Sequence, residues 1–319
     1  MSLLFILLFI TSAFGDYGGG YAGSGFRYSS NARDFALAGA IIADKNSGFY
    51  AFSNPALFQF TSSNHIGISF QNLALDRFIE TYTYEKKLPP NAGIGLSLLH
   101  SGTKNIQGRD ALNQKTEFFS ANESEGIISF GVGFGRKLSI GVNLKVLFAS
   151  INKDYKGNGL SGDLGLHYRM NRNFLLGFMI KNIKTKYTWQ FVMGEDKNSY
   201  DEKLPVIYSI GFSSYMNRGV SIFFQDDIIV SPNDDVNYRV RFGTEFKLRN
   251  KIKIRIGAKQ LTYALPINMI QNQLNIKPSF GFGLPFKIWR KKYINLDYAL
   301  DLGYVNEGLS HLFSTSFEF

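Results

Sequence analysis

Four histidines, His65, His100, His167 and His311, are the side chains of this sequence best suited to metal or proton chemistry, and each falls in a different extended segment. A metal site needs ligands that converge at a fixed spacing, and these four have none. Gly131, Gly133 and Gly135 imitate a phosphate-binding loop. They alternate within an apolar run, however, where a dinucleotide loop must turn into a helix. No Gly-x-Ser-x-Gly elbow and no phosphate loop occurs. Asp226–Asp227 and Asp234–Asp235 pair carboxylates that could hold calcium, but beside a polar loop they read as solvated side chains. The absence of cysteine excludes disulfides and thiolate metal sites and suits an exported chain. The expectation is a non-enzyme without cofactor or metal.

Lys and Arg number 35 against 25 Asp and Glu, an excess of ten. Such a balance suggests nucleic acid when basic residues cluster with stacking aromatics. Here they sit in short connections, such as Lys86–Lys87 and Arg136–Lys137, so nucleic acid is not expected as a partner. Basic strand ends can contact anionic lipid headgroups, or simply keep turns solvated. Arg239, Arg241, Lys253, Arg255 and Lys277 are expected to face inward. There they would meet Asp163, Asp297, Asp301 and Glu318 in a buried polar network.

These residues are positioned by strands. In the last nine residues His311, Phe313, Thr315, Phe317 and Phe319 alternate with Leu312, Ser314, Ser316 and Glu318, the period of a strand with two unlike faces. Val236 to Phe246, Ile294 to Leu302 and Ile140 to Phe148 repeat the pattern. The second face is often Gly or Ser, which suits a crowded interior. Fourteen strands follow from this rule, at about 64–72, 76–87, 91–101, 125–134, 137–151, 160–169, 173–184, 205–216, 219–230, 236–248, 251–263, 274–286, 291–303 and 309–319. A bulge at Asp226 would restore a register that Asp226–Asp227 breaks. The connections alternate between short basic turns and longer polar loops, the longest at 102–124 and 185–204. That is the pattern of a transmembrane barrel, with short periplasmic turns and long outer loops. The fold expected is all-β, a 14-stranded antiparallel transmembrane β-barrel in the bacterial outer membrane with both termini periplasmic. A mean hydropathy of −0.09 agrees, because only half of each strand meets lipid.

Residues 1–15 read as a signal peptide, with an apolar core from Leu3 to Ile10 and small residues at Ala13 and Gly15. Residues 63–319 form the barrel. Fourteen tilted strands enclose a radius of roughly 14 Å, more than wall side chains can fill. Residues 16–62 are therefore expected to plug it.

Ala32-Arg33, Leu37-Ala38-Gly39-Ala40, Ala43-Asp44 and Ser53-Asn54-Pro55-Ala56-Leu57 resemble the N-terminal signature of FadL-like outer-membrane barrels, the long-chain fatty acid transporter superfamily. The branch they resemble most is the PorV/PorQ type. Leu296-Asp297-Tyr298-Ala299-Leu300 and the alternating ending resemble that branch too. The chain departs from the branch at Asp44-Lys45, where two acidic residues are common, and at Ser53, often an aromatic. The resemblance implies a plugged or hatched barrel. It also implies a role in a type IX secretion-like system, holding exported cargo or attachment partners. The alternative it implies is hatch-gated transport of hydrophobic small molecules. Arg33, Asp44, Asn54 and Pro55 are the candidate hatch residues. Arg33 is expected to pair with a lumen carboxylate, and Asn54-Pro55 to turn the chain into the first strand. Phe118, Phe119, Trp189 and Phe191, in the two longest loops, are the candidate partner-binding residues. Expected partners are outer-membrane lipid, a protein at the outer loops and a hydrophobic ligand.

Overall fold

The computed structural model describes residues 21–319 except 153, 154, 194, 195, 217, 218, 235, 249, 250, 262–274, 290, 291 and 303–308. The signal-peptide expectation, residues 1–15, lies outside the described residues. Fifteen strands follow one another: β1 His65–Leu73, β2 Arg77–Leu88, β3 Ala92–Arg109, β4 Lys115–Phe134, β5 Leu138–Ile151, β6 Tyr155–Arg169, β7 Phe174–Met193, β8 Asp196–Glu202, β9 Val206–Tyr215, β10 Val220–Val230, β11 Val236–Lys247, β12 Lys253–Leu261, β13 Asn275–Trp289, β14 Lys292–Asp301 and β15 Ser310–Glu318. Fourteen of them pair antiparallel with their neighbours and close where β1 meets β15. Closure leaves no unpaired edge inside a membrane, which hydrocarbon requires of any sheet. The fifteenth, β8, pairs only with β7, while β7 also pairs with β6 and β9.

Alternation sets the two faces. Leu96, Ile128, Leu144, Leu164, Ile210 and Phe313 are exposed on the outside, while their strand neighbours Ser97, Ser129, Asn143, Asp163, Ser209 and Ser314 are buried inside. No bulge occurs at Asp226. β10 keeps one register with both β9 and β11 through that point. Asp227 is simply an inward residue and Asp226 an outward one.

The two longest loops are corrected as well. Most of residues 102–124 extends the β3–β4 hairpin, and most of 185–204 continues β7 and folds back as β8. In the β3–β4 extension both faces are partly or fully exposed, so the two-residue period fades although the ladder continues, whereas the β7 extension keeps it, with Thr185, Tyr187 and Trp189 buried and Lys184, Lys186 and Gln190 exposed.

Residues 32–60 lie inside the barrel. Helix α1, Ala32–Ala36, packs Ala32, Phe35 and Ala36 against Ala299 and Leu312. Leu37, Ala40 and Ile41 pack on Phe223, and Ile42 and Ala43 on Leu175 and Met179. A second short helix, α2 Tyr50–Ser53, leads into a 3₁₀ turn, Pro55–Phe60, whose Leu57 and Phe58 pack with Ile127.

Candidate functional site

Arg33 is placed by α1. Asn31 caps that helix, its Oδ1 accepting the Asp34 amide at 2.9 Å, the bond by which a short polar side chain satisfies a donor left free at a helix start. The Arg33 guanidinium donates to Asp44 through Nη1 and brings Nε within 3.3 Å of Glu245 Oε2 on β11. The Tyr215 hydroxyl donates to Asp44 Oδ1 at 2.7 Å. Glu245 Oε2 in turn accepts from Arg255 Nε at 2.7 Å, and Arg255 Nη1 donates to Asp297 Oδ1 at 2.5 Å. Nearby, Arg241 pairs with Asp227 at 2.5 Å and donates to the Gly39 carbonyl at 3.2 Å. Lys277 pairs with Asp301 at 2.7 Å. Of the inward charges read from the sequence, Arg255–Asp297 and Lys277–Asp301 meet as expected. Asp163 instead pairs with Lys145, at 3.0 Å.

Enclosure acts on the ionisable groups of this segment. Burial pushes the Asp34 carboxyl up to about 7, with Arg33 opposing and Asp44 adding to the rise. Burial also works against the Arg33 charge, but Asp44, Glu245 and Asp34 outweigh it and hold the guanidinium ionised.

Asn54 works through both ends of its amide. Its Oδ1 accepts the Ala56 amide at 3.0 Å. Its Nδ2 lies 3.0 Å from the Ile42 carbonyl and 3.2 Å from that of Leu166 on the wall. Pro55 opens the 3₁₀ turn, where a missing N–H costs nothing. Its carbonyl lies flush on Gly131 and Gly141, where any Cβ would collide with the Pro55 backbone. Gly93 is equivalent: a Cβ there would sit 2.5 Å from the Phe58 carbonyl oxygen.

Two spaces flank a strap formed by residues 21–28. On the long-hairpin side lies a pocket of about 540 Å³, lined by Tyr28, Phe78, Ile79, Ile151, Trp189 and Tyr200 among others. On the other side is a smaller cavity of about 80 Å³, lined by Phe52 and by Lys145, Lys181, Asp163, Asp227 and Arg241. Two carboxylates fix the strap by its backbone. Glu123 accepts the amides of Gly23 at 2.9 Å and Gly25 at 3.1 Å, and Glu202 accepts that of Ala22 at 2.8 Å. Trp189 Nε1 donates to the other oxygen of Glu202 at 2.8 Å.

The four aromatic candidates separate. Phe118 is 65% exposed on the β3–β4 hairpin, and Phe119 is half-buried. Trp189 is buried with Tyr187, Leu147 and Leu204, and Phe191 stacks on Tyr155 at 5.6 Å. Trp189 thus lines the pocket floor and is not a free loop aromatic. The histidines remain apart: His100 bonds Ser124, His311 bonds Tyr298, His65 faces Glu85 and His167 lies by Gln59. No cluster of metal-ligating side chains occurs among the described residues. Sequence reasoning missed Glu123, Glu202, Glu245 and Gln225, whose Oε1 accepts the amides of Ile41 and Ile42 at 3.1 Å. The one signal available was an acidic or amide residue at an inward position of a strand.

No protein-family model and no curated sequence matches the chain. Solved structures do. The *Pseudomonas putida* toluene transporter TodX superposes with a TM-score of 0.62 at 15% identity, covering 92% of this chain and 98% of that one. A *Pseudomonas aeruginosa* FadL homologue gives 0.65 at 12% identity over 92% and 98%. The *Ralstonia pickettii* toluene transporter TbuX gives 0.64 at 12% identity over 91% and 98%. These are FadL-family outer-membrane transporters, not enzymes. At such identities what is shared is the fold, so this chain has the closed fourteen-stranded architecture of the FadL-family outer-membrane barrels.

Proposed function

We propose that this protein is an outer-membrane conduit for hydrophobic small molecules, with the inserted segment 21–62 as its hatch. The observation that carries this reading is the 540 Å³ pocket. It is faced by Tyr28, Phe78, Ile79, Trp189 and Tyr200, and residues of the strap line both it and the smaller cavity. Concave sites lined by aromatic and apolar groups are where small apolar ligands gain most from leaving water. The strap is held by hydrogen bonds from its own amides to Glu123 and Glu202, and by Ala22 and Phe26, which pack against Leu147, Tyr187, Trp189 and Leu204. TodX and TbuX are toluene transporters and CymD is a monoaromatic hydrocarbon channel, which supports the same class of cargo here. In this reading the long hairpins face outward and the short basic turns and both termini face the periplasm.

The test uses Trp189 as its own reporter. The chain has two tryptophans, so a Trp289→Phe background leaves one. Toluene titrated into nanodisc-embedded protein should change Trp189 emission saturably. Tyr28→Arg with Phe78→Arg should abolish the response. A linear, unsaturable response in the parent protein would sink the proposal.

The finer expectation, a PorV/PorQ-type holder of cargo in a type IX secretion-like system, has one feature in its favour: Phe118 at 65% and Leu112 at 79% exposure on the β3–β4 hairpin. None of the structures named above is described as a secretion component, and Trp189 is taken up by the pocket. The transporter reading is therefore preferred.

A further inference from the structure

The short connections carry charge of one sign. Lys86 and Lys87 lie at the end of β2, Arg136 and Lys137 join β4 to β5, and Arg172 leads into β7. Lys247 closes β11, and Lys287 lies near the end of β13. All of these side chains are exposed. Glu318 is the one exposed acidic side chain at this rim among the described residues. Glu85 and Glu245, on the neighbouring strand ends, are buried against the inserted segment, where Glu85 accepts the Tyr50 amide and Glu245 faces Arg33. The opposite rim is mixed. Asp76, Asp110, Glu117, Asp201 and Asp234 are exposed there beside Lys104, Lys115, Lys156 and Lys203, and Lys186 pairs with Asp201 at 3.3 Å.

One-signed charge is costly where nothing answers it. Lys86 and Lys87 are adjacent, as are Arg136 and Lys137, and like charges repel. Among the described residues no ion pair joins these cations to a carboxylate of the chain. An anionic surface turns the repulsion into attraction. Two features identify that surface as a lipid leaflet. The first is height. Tyr84, Phe134, Phe246 and Phe286 are exposed, lipid-facing side chains, and Lys86, Arg136, Lys247 and Lys287 follow them by one or two residues. At the rise of a strand that is about 3–7 Å, the step from hydrocarbon to headgroup. The second is distribution. The cations stand at five short connections spread from β2 to β13, around the circumference. A soluble partner docking on one side would leave most of them unanswered, whereas headgroups meet every turn.

We propose that this rim binds the headgroups of anionic phospholipids. The Lys and Arg side chains donate to lipid phosphates, and the aromatic rings one or two residues away lie against the first acyl carbons. The binding is independent of what the barrel carries and holds for whichever leaflet meets this rim.

Electron spin resonance tests it, on the folded protein in phosphatidylcholine bilayers that hold a trace of spin-labelled lipid. At low salt, spin-labelled phosphatidylglycerol should be held at the protein surface about threefold more strongly than spin-labelled phosphatidylcholine. The preference should fall toward parity in about 1 M salt, which screens charges within about 3 Å. Lys86→Gln combined with Lys87→Gln, Arg136→Gln and Lys137→Gln should cut the preference to about half. Lys104→Gln combined with Lys115→Gln, Lys156→Gln and Lys203→Gln removes the same charge from the opposite rim and should leave it unchanged. Heat-modifiable mobility confirms that each variant is folded. Equal retention of the two lipids by the parent protein overturns the proposal, and is the result expected of a rim that serves a soluble protein or polymer. A preference that survives the first set of substitutions, or that both sets lower equally, overturns it as well.

Discussion

Strands β3 to β6 meet the inserted segment with glycine, whereas β10 to β14 meet it with charge. On the first side Gly93, Gly131, Gly141 and Gly165 leave room for the backbone of residues 54–58 to lie on the wall. On the second, Glu245, Arg255, Asp297, Arg241 and Asp227 form a ladder into which Arg33, Asp44 and the Gly39 carbonyl are bonded. Glycines also make room on the charged side, at Gly243 and Gly257 beside Leu37 and Ala38, but there packing is joined by ion pairs. The difference bears on which part of the segment can move. Close-packed contacts lose their dispersion attraction as soon as a gap opens. Ion pairs and hydrogen bonds can be traded for water, at a cost far below their gross strength. The glycine side is thus suited to anchor the segment and the charged side to release it.

Breaking the charged side should have the largest effect. Glu245→Gln leaves Arg33 and Arg255 without the carboxylate they share. Removing one partner from a buried network costs about 3–5 kcal/mol. A thiol placed at Ala43 should then react with a maleimide, while one at Ala56 stays protected. Equal protection of both thiols would refute the assignment of the charged side as the releasable one.

A neighbouring position sharpens the same point. Arg241 is tolerated because it faces Asp227 inside the barrel. Val240→Arg turns the same side chain toward lipid, at about 2–4 kcal/mol near the midplane, and should reduce the folded, heat-modifiable barrel. Normal accumulation would mean that β11 does not face lipid at that depth.

On the glycine side, Gly141→Ala should cost about 1–3 kcal/mol as an overpacked contact, because its Cβ would meet the backbone of Pro55 and Ala56. Gly126→Ala on the outward face, whose nearest obstacle is Val146 Cγ2 at 3.2 Å, serves as the control. Thermal unfolding of the two variants should differ, and a matched pair of midpoints would show that the contact is loose.

The smallest effect is one of pH. The Asp34 carboxyl is raised from an ordinary 3.8 to about 7 where it sits, so docking of the segment favours its protonated form. That contribution is complete below about pH 4, declines as pH rises and is lost above about 7. Protection of the thiol at Ala43 should therefore weaken between pH 5 and 8, and Asp34→Asn should flatten the trend. A pH profile unchanged by the substitution would assign the titration to another group.

The fourteen-strand count, the inward and outward faces and a segment too long to leave outside the barrel are written in the sequence, because lipid on one side and a crowded interior on the other impose a two-residue period. Arg33, Asp44, Asn54 and Pro55 stand out there for the same reason, as polar or turn-forming residues in a compact non-strand stretch. Their partners do not. Glu245, Leu166 and Gly141 are brought to them only when the barrel closes, and nothing local marks which of many inward residues will lie at the right height. The hairpin extensions of β3, β4 and β8 were illegible because exposure on both faces erases the period, whereas β7 carries its period on through Thr185, Tyr187 and Trp189, buried there by contacts that only the fold supplies. The pocket lined by Trp189 exists only where the strap crosses between Glu123 and Glu202. The sequence by itself determined the wall of this protein, and tertiary structure decided what the wall encloses, because alternation is a local property and enclosure depends on residues that meet only when the barrel closes.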